Sequence, residues 1–459
     1  MTARRLRIAA LSLIALPSAA QAQGASAPRP PIRQLGPVQA TSTDSLVGIT
    51  NIRAMSTGHL LVNDVLSRRV LLMDSSFKVV SVVADSTSST ANAYGPRSGA
   101  LIAYKGDSTL FVDAASLSML VVDPAGKIGR IMSVPRSQDA MMLAAGGMGA
   151  GAFYSDGHLV YRGMPGIQMR MGSNGQMAMP AVPDTMPIVR VNLATRVVDT
   201  AGFLKIPKTN TNINRSDDGK ISVSIEINPL PVVDEWVVTS TGQIALIRGK
   251  DYHVDWMAPN GTKSASPKMP FDWKRMTDDE KVALIDSVKA IRERQAAANP
   301  GQGTSISQAF GAMMGGGSFA MAGGPPPGGG GGAQVMVRMS GPGGAAPAGG
   351  APTVVASGGG GGGPQINMTY VSPSDLPDYR PPFFATSAKA DADGNVWLRT
   401  ISAKPVGGDV YDVISAKGEI IDRVQVPEGR TILGFAPGGV VIMSRNDGAV
   451  TRLERARMK

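Results

Sequence analysis

Gly58-His59-Leu60-Leu61-Val62-Asn63-Asp64, then Arg69-Val70-Leu71-Leu72-Met73-Asp74, then Lys78-Val79-Val80-Ser81-Val82-Val83: three short apolar runs follow one another early in this 459-residue chain, each closed by turn-forming residues. Such runs have strand length, and Gly, Asp and Asn punctuate them. A unit of this kind cannot cover its own apolar faces, so copies must pack on one another. The chain supplies the copies. A second unit reads Ala100-Leu101-Ile102-Ala103-Tyr104, Leu110-Phe111-Val112-Asp113, Met119-Leu120-Val121-Val122-Asp123 and Lys127-Ile128-Gly129-Arg130-Ile131-Met132. Others begin near Ala152, Glu235, Ala388 and Ile432. Six units with up to four strands each predict an all-β fold, a six-bladed β-propeller of sheets radiating from a central channel.

The sixth unit offers three strands before the sequence ends, which would leave an open edge. A spare run over residues 32–40 is expected to pair with residues 450–453 and close the ring. One long insertion interrupts the units. Thr277-Asp278-Asp279-Glu280 is a capping box, and Val282, Ile285, Val288 and Ile291 keep helical spacing, so a helix is expected over 278–297. Residues 301–364, with Gly328 to Gly332 and Gly358 to Gly363, hold too little apolar surface to offset ordering and are expected to be disordered.

At the N-terminus Arg4, Arg5 and Arg7 precede a short apolar stretch and the small-x-small site Ala20-Gln21-Ala22. This is the pattern of a secretion signal cleaved near Ala22, so a periplasmic or secreted protein is expected. The organisation is then a signal peptide over 1–22, a leader and closing strand over 23–44, blades one to four over 45–275, the insertion over 276–366, and blades five and six over 367–459. No later run has the ~18 apolar residues of a membrane helix. The chain has no cysteine, which excludes disulfides, thiolate metal sites and a cysteine nucleophile. Loss of the three leader arginines takes the net charge from +10 to +7. The remaining basic residues are scattered without interleaved aromatics, which argues against nucleic acid as a partner.

Asp74, Asp123-Pro124-Ala125-Gly126-Lys127, Asp393-Gly394-Asn395-Val396-Trp397-Leu398 and Ser415-Ala416-Lys417-Gly418-Glu419 place a turn of one type against an apolar strand in several units. With Leu376-Pro377-Asp378-Tyr379-Arg380-Pro381-Pro382-Phe383 ahead of a late blade, the pattern resembles the six-bladed propellers of secreted bacterial proteins related to the NHL-repeat type. The resemblance spans most of residues 45–455 outside the insertion. Its motifs specify turns and strand edges, so it implies a fold and no activity.

Chemistry is thinner. His59, His158 and His253 lie in different units beside or within apolar strands, and read as blade-surface residues. No Gly-x-Ser-x-Gly elbow occurs, and no catalytic residue is assigned. Residues at the start of each inner strand should ring the channel mouth, which selects Asn51, Arg97, Asp234, Tyr379, Arg380 and Arg430. Three arginines among six favour an anionic small ligand, since guanidinium groups match carboxylate and phosphate. The reading is therefore a binding scaffold for such a ligand or for a protein, without an assigned cofactor. Two alternatives stand beside it. Propellers of the gluconolactonase type hold a metal on channel carboxylates and amides, for which Asn51, Asp234, Glu235 and Asp391 are the candidates for calcium or another divalent ion, giving a metal-dependent hydrolase or lyase. The stretch from Met164 to Met186 carries Met169, Met171, Met177 and Met179, soft ligands suited to copper.

Overall fold

In the computed structural model each unit forms one antiparallel sheet, and the six sheets make a propeller. The structure describes residues 29–458 apart from 88–93, 97–98, 146–150, 154–155, 165–169, 172–176, 179–182, 209, 216–220, 299–335, 338–353, 356–364, 402–406 and 449. Strands run from the inside of the ring outward in chain order. Blade one is Ile49–Ala54, Leu60–Asp64, Arg69–Met73 and Val79–Ala84. Blade two is Gly99–Ala103, Thr109–Asp113, Ser118–Val122 and Ile128–Ser133. Blade three is Ala152–Phe153, His158–Arg162, Thr185–Asn192 and Val198–Lys205, and blade four is Glu235–Val238, Ile244–Arg248, His253–Met257 and Lys263–Ala265. Blade five has Phe383–Ala390, Val396–Thr400, Val410–Ile414 and Ile420–Gln425, and blade six has Arg430–Ala436, Val440–Asp447 and Val450–Arg457.

The apolar runs are explained by where their strands sit. A middle strand is covered on both faces by neighbouring blades, so it reads as continuous apolar sequence rather than alternating. Every residue of Leu60–Asp64 and of Val410–Ile414 is buried. Ile102, Leu110 and Met119 of blade two share one core with Leu159, Tyr161 and Val191 of blade three. Outer strands have one free face and alternate: Val80 and Val82 are exposed while Val79, Ser81 and Val83 are half-buried.

The repeated turns share a mechanism. Asp123 Oδ1 accepts hydrogen bonds from the Ala125 and Lys127 amides at 2.9 and 2.8 Å. Asp74 does the same for Ser76 and Lys78, and Asp391 for Asp393 and Asn395. The carboxylate stands in for a backbone acceptor and reverses the chain in five residues. Gly418, in such a turn, has φ +79, and an added Cβ would lie 2.2 Å from Ser266 Cβ of the blade-four side. Gly429 has φ +73 and open space around it. Gly418→Ala is therefore expected to lower the unfolding free energy by about 2–4 kcal/mol, strain and overlap together, against about 1 kcal/mol for Gly429→Ala. Urea unfolding of both variants checks this, and equal losses would refute the blade contact.

The ring closes through residues 29–46, in a different register from that expected. Ile32–Gln34 lies parallel on the outer edge of blade five, with Ile32 opposite Arg423. The chain then crosses at Gly36-Pro37 to blade six, where Ala40–Thr41 pairs antiparallel with Arg455 and Glu454. Amides of Gly36, Gln39 and Ser42 donate to the carbonyls of Arg457, Arg455 and Leu453 at 3.0, 2.7 and 2.8 Å. The Leu35 amide still donates to Gln425 O of blade five at 3.1 Å, so the run is divided between two blades at Leu35 and Gly36.

The insertion begins with a helix, Asp278–Ala298, capped as its sequence requires: Thr277 Oγ1 accepts from the Glu280 amide at 3.2 Å, and Glu280 Oε2 accepts from the Thr277 amide at 3.0 Å. Its buried face is Lys281, Ile285 and Val288 with Leu284 partly covered, while Val282 points outward at 44% exposure. Ile285 packs with Leu230, Met276 and Leu376, against Phe384 of blade five's inner strand. Of the Gly-rich stretch only Met336–Val337 and Val354–Val355, paired antiparallel, are described, so the expected disorder falls otherwise outside the described residues. A second feature was absent from the sequence reading. Asn210–Arg215 and Ile221–Ile227 form a hairpin, and Gln365–Tyr370 adds to it in parallel. Asn210-Thr211-Asn212-Ile213-Asn214-Arg215 has one apolar residue and no period-two signal, whereas Ile221-Ser222-Val223-Ser224-Ile225-Glu226-Ile227 alternates throughout and is the strand signal the sequence did offer.

Candidate functional site

Strand direction divides the ring into two unlike faces. Links from one blade to the next, and from second to third strand within a blade, emerge together. This face carries residues 163–184, 206–234 with the hairpin, and 266–382 with the helix. On the opposite face every connection has five residues or fewer. Long connections on a rigid frame are where propellers gain recognition surface.

Of the six residues expected at the channel mouth, five are described, and among the described residues no hydrogen bond or ion pair joins any two of Asn51, Asp234, Tyr379, Arg380 and Arg430. Asn51 is buried and ties two inner strands together, its Nδ2 donating to Leu101 O at 2.8 Å. Asp234 accepts from Arg248 Nη1 at 2.7 Å and from the Lys205 and Gly249 amides at 3.0 and 3.2 Å. Arg430 Nε donates to the buried Glu454 at 2.6 Å. Tyr379 is half exposed and bridges to Arg275. Arg97 lies outside the described residues.

Arg380 differs. It lines a pocket of ≈ 110 Å³ with Arg29, Phe271, Asp272, Lys274, Thr400, Ile401 and Arg423. Arg29 enters this pocket from the segment that closes the ring. Its guanidinium lies 5.5 Å from the Phe271 ring centre, 2.9 Å from Asp272 and 3.4 Å from the buried Asp412. Arg423 Nε meets Asp412 at 3.2 Å, and Lys274 Nζ meets Glu280 at 3.1 Å. Asp272, Asp412 and Glu280 thus answer three of the four cations. Arg380 forms no ion pair among the described residues, and its Nε is buried without a hydrogen-bond partner. Glu280 is within electrostatic reach of it. Such a cationic surplus in a partly enclosed pocket attracts an anion.

The metal candidates do not fit one ion. Glu235 accepts from backbone amides of blade five, Asp391 shapes its turn and accepts Trp397 Nε1 at 3.0 Å, and Asn51 and Asp234 are engaged as above. Among the described residues no three of His, Asp and Glu form a metal-holding group. His158 and His253 each lie beside an aspartate two residues away, Asp156 at 3.0 Å and Asp255 at 3.2 Å. Met164 and Met186, which bound the Met-rich stretch, belong to an apolar cluster with Met142 and Ile206. Met171 and Met177 are backbone partners in a two-residue pairing, and Met169 and Met179 lie outside the described residues.

Comparison with solved structures finds likenesses over nearly the whole chain at low identity. A gluconolactonase from Xanthomonas campestris aligns over 94% of this chain and 98% of its own, at 10% identity and a TM-score of 0.34. Regucalcin, a calcium-binding protein from Agrobacterium tumefaciens, aligns over 93% and 98% at 12% identity and 0.35. A member of the duf4221 family from Bacteroides vulgatus aligns over 93% and 96% at 8% identity and 0.41. No family model and no curated protein matches the sequence. At these values the likeness is one of architecture and brings no activity to this chain.

The sequence reading named Arg380 as a channel-mouth residue and did not name the residues that share its pocket. Arg29 lies in what reads as a loose leader, and Arg423 in an outer strand that reads as plain sheet. Only ring closure, which lays residue 29 beside residue 412, joins them.

Proposed function

We propose that the protein is an exported binding propeller that takes an anionic small ligand on its insertion-bearing face, at the pocket of Arg29, Lys274, Arg380 and Arg423. The observation that carries this reading is the Arg380 guanidinium, enclosed in that pocket with a buried, unpartnered Nε. Export rests on the leader: Arg4, Arg5 and Arg7, the apolar stretch and Ala20-Gln21-Ala22. The Asp-x-x-Gly-Lys turn of residues 123–127 supports kinship with propellers of the NHL-repeat type.

The test uses the chain recovered from the cell envelope or medium, which is expected to begin at Gln23. Inorganic phosphate, titrated by calorimetry at low ionic strength, is expected to bind saturably and to weaken as salt rises. Arg380→Gln should weaken it about 10–100-fold, the worth of a charge-assisted hydrogen bond. Phosphate affinity unchanged by Arg380→Gln would end the assignment of the pocket, and a chain retaining Met1 would end the assignment of export.

A further inference from the structure

A second charged cluster lies at the inner edge of blades three to five, apart from the pocket above. Arg162 ends the second strand of blade three, Glu235 opens the inner strand of blade four, and Lys389 lies in the inner strand of blade five. Arg162 and Glu235 are each only 2% exposed, and their closest approach, Nη2 to Oε1, is 3.7 Å, too long for a hydrogen bond. Arg162 Nε and Nη1 are buried with no partner. Two idle donors on a buried guanidinium are costly and call for an acceptor.

Glu235 gives Arg162 an opposite charge at 3.7 Å but no hydrogen bond, and its oxygens turn to backbone amides instead. Oε2 accepts from the amides of Ser387 and Ala388 at 2.6 and 3.4 Å, and Oε1 from the Trp236 amide at 3.2 Å. The two blade-five amides are available because the inner strand bulges there. Pairing jumps from Phe383 opposite Thr400 to Ala388 opposite Leu398. Within the bulge Thr386 takes φ +64, a strained conformation for a β-branched residue. The Lys389 ammonium forms no hydrogen bond or ion pair among the described residues. Arg399 repels it and Glu235 attracts it, while Asp409 pairs with Arg399 at 3.2 Å. Three cations therefore face two carboxylates, one of which also accepts from three backbone amides.

We propose that this cluster is a binding site for a carboxylate-bearing small ligand, whose carboxylate accepts from Arg162 and pairs with Lys389 beside the Glu235-held bulge. A carboxylate supplies at once the missing acceptor and the missing negative charge. Thr386 is the strained element that keeps Glu235 occupied, leaving the guanidinium for the ligand. Such strain tends to be kept where a site must be held in advance of binding.

Acetate is the probe. The mature chain in chloride buffer of constant ionic strength is titrated with sodium acetate, followed by thermal unfolding and by a crystal structure with and without acetate. The expected result is a saturable rise in melting temperature, acetate density at Arg162, and a loss of affinity of at least about tenfold in Lys389→Met. Lys389→Arg, which keeps the charge, should retain binding and guards against misfolding of the methionine variant. Ordered water alone on Arg162, or equal acetate affinity in Lys389→Met and wild type, overturns the proposal. Acetate density at Arg162 is read separately from any anion density at Arg380, so failure here is distinct from failure of the phosphate pocket.

Discussion

Replacing Asp412 with alanine is expected to lower the unfolding free energy by about 3–5 kcal/mol, the cost of leaving buried partners of a charged group without it. Asp412 is wholly buried in the third strand of blade five. Tyr252 OH from blade four donates to its Oδ2 at 2.6 Å, and Arg423 Nε donates to Oδ1 at 3.2 Å. Arg29 Nη2 reaches both oxygens at 3.4 Å. Burial and the neighbouring carboxylate push the Tyr252 phenol well above its ordinary range, so it remains a donor at any pH the protein would meet. One carboxylate thus joins two blades and the chain segment that closes the ring. Urea unfolding should show the loss, and hydrogen exchange should show faster opening of residues 29–34 in the variant. A loss under about 1 kcal/mol, with residues 29–34 still protected, would mean that Asp412 does not anchor the closure.

Glu235→Ala is expected to cost about 3–4 kcal/mol, since it strips the acceptor from buried amides of the bulge and opens a cavity between blades. The cost should depend on pH with a definite sign. Burial raises the Glu235 pKa, opposed by Arg162 and by the amides of Ala388 and Ser387. A carboxyl whose folded pKa is raised contributes its full stability below its unfolded value of about 4.3, and that contribution falls as pH rises through the folded value. The gap between wild type and Glu235→Ala should therefore be widest near pH 4 and narrow toward neutrality. Each unit of difference between the folded and unfolded pKa is worth about 1.4 kcal/mol of that narrowing. Denaturation curves across this range decide it, and a gap that widens with pH would show that the ionised form is the one the fold favours.

The blades were legible because each reports its own environment locally. Leu60-Leu61-Val62 is apolar without alternation because a second strand is covered on both faces, and Asp123 with Gly126 marks a turn whose hydrogen bonds close within five residues. The capping box at Thr277 and Glu280 is equally local. Of the helix residues expected on the apolar face, Ile285 and Val288 are buried, whereas Val282 is exposed and Lys281 lies inward, because a helix turns every 3.6 residues and residue 281 stacks under Ile285. Neither charged site was legible as a site. Arg162 looks like a strand-end arginine, and nothing near it in sequence announces Glu235 or Lys389.

The sequence by itself determined the repeating strand units, their turns and therefore the ring, because propensity and apolar patterning act over a few neighbouring residues. Tertiary structure alone decided how the amino-terminal segment is shared between blades five and six, and which arginines remain without acids. Those outcomes depend on contacts such as Arg29 with Asp412, between residues 383 positions apart. Over such a separation only the closed ring fixes which charges meet.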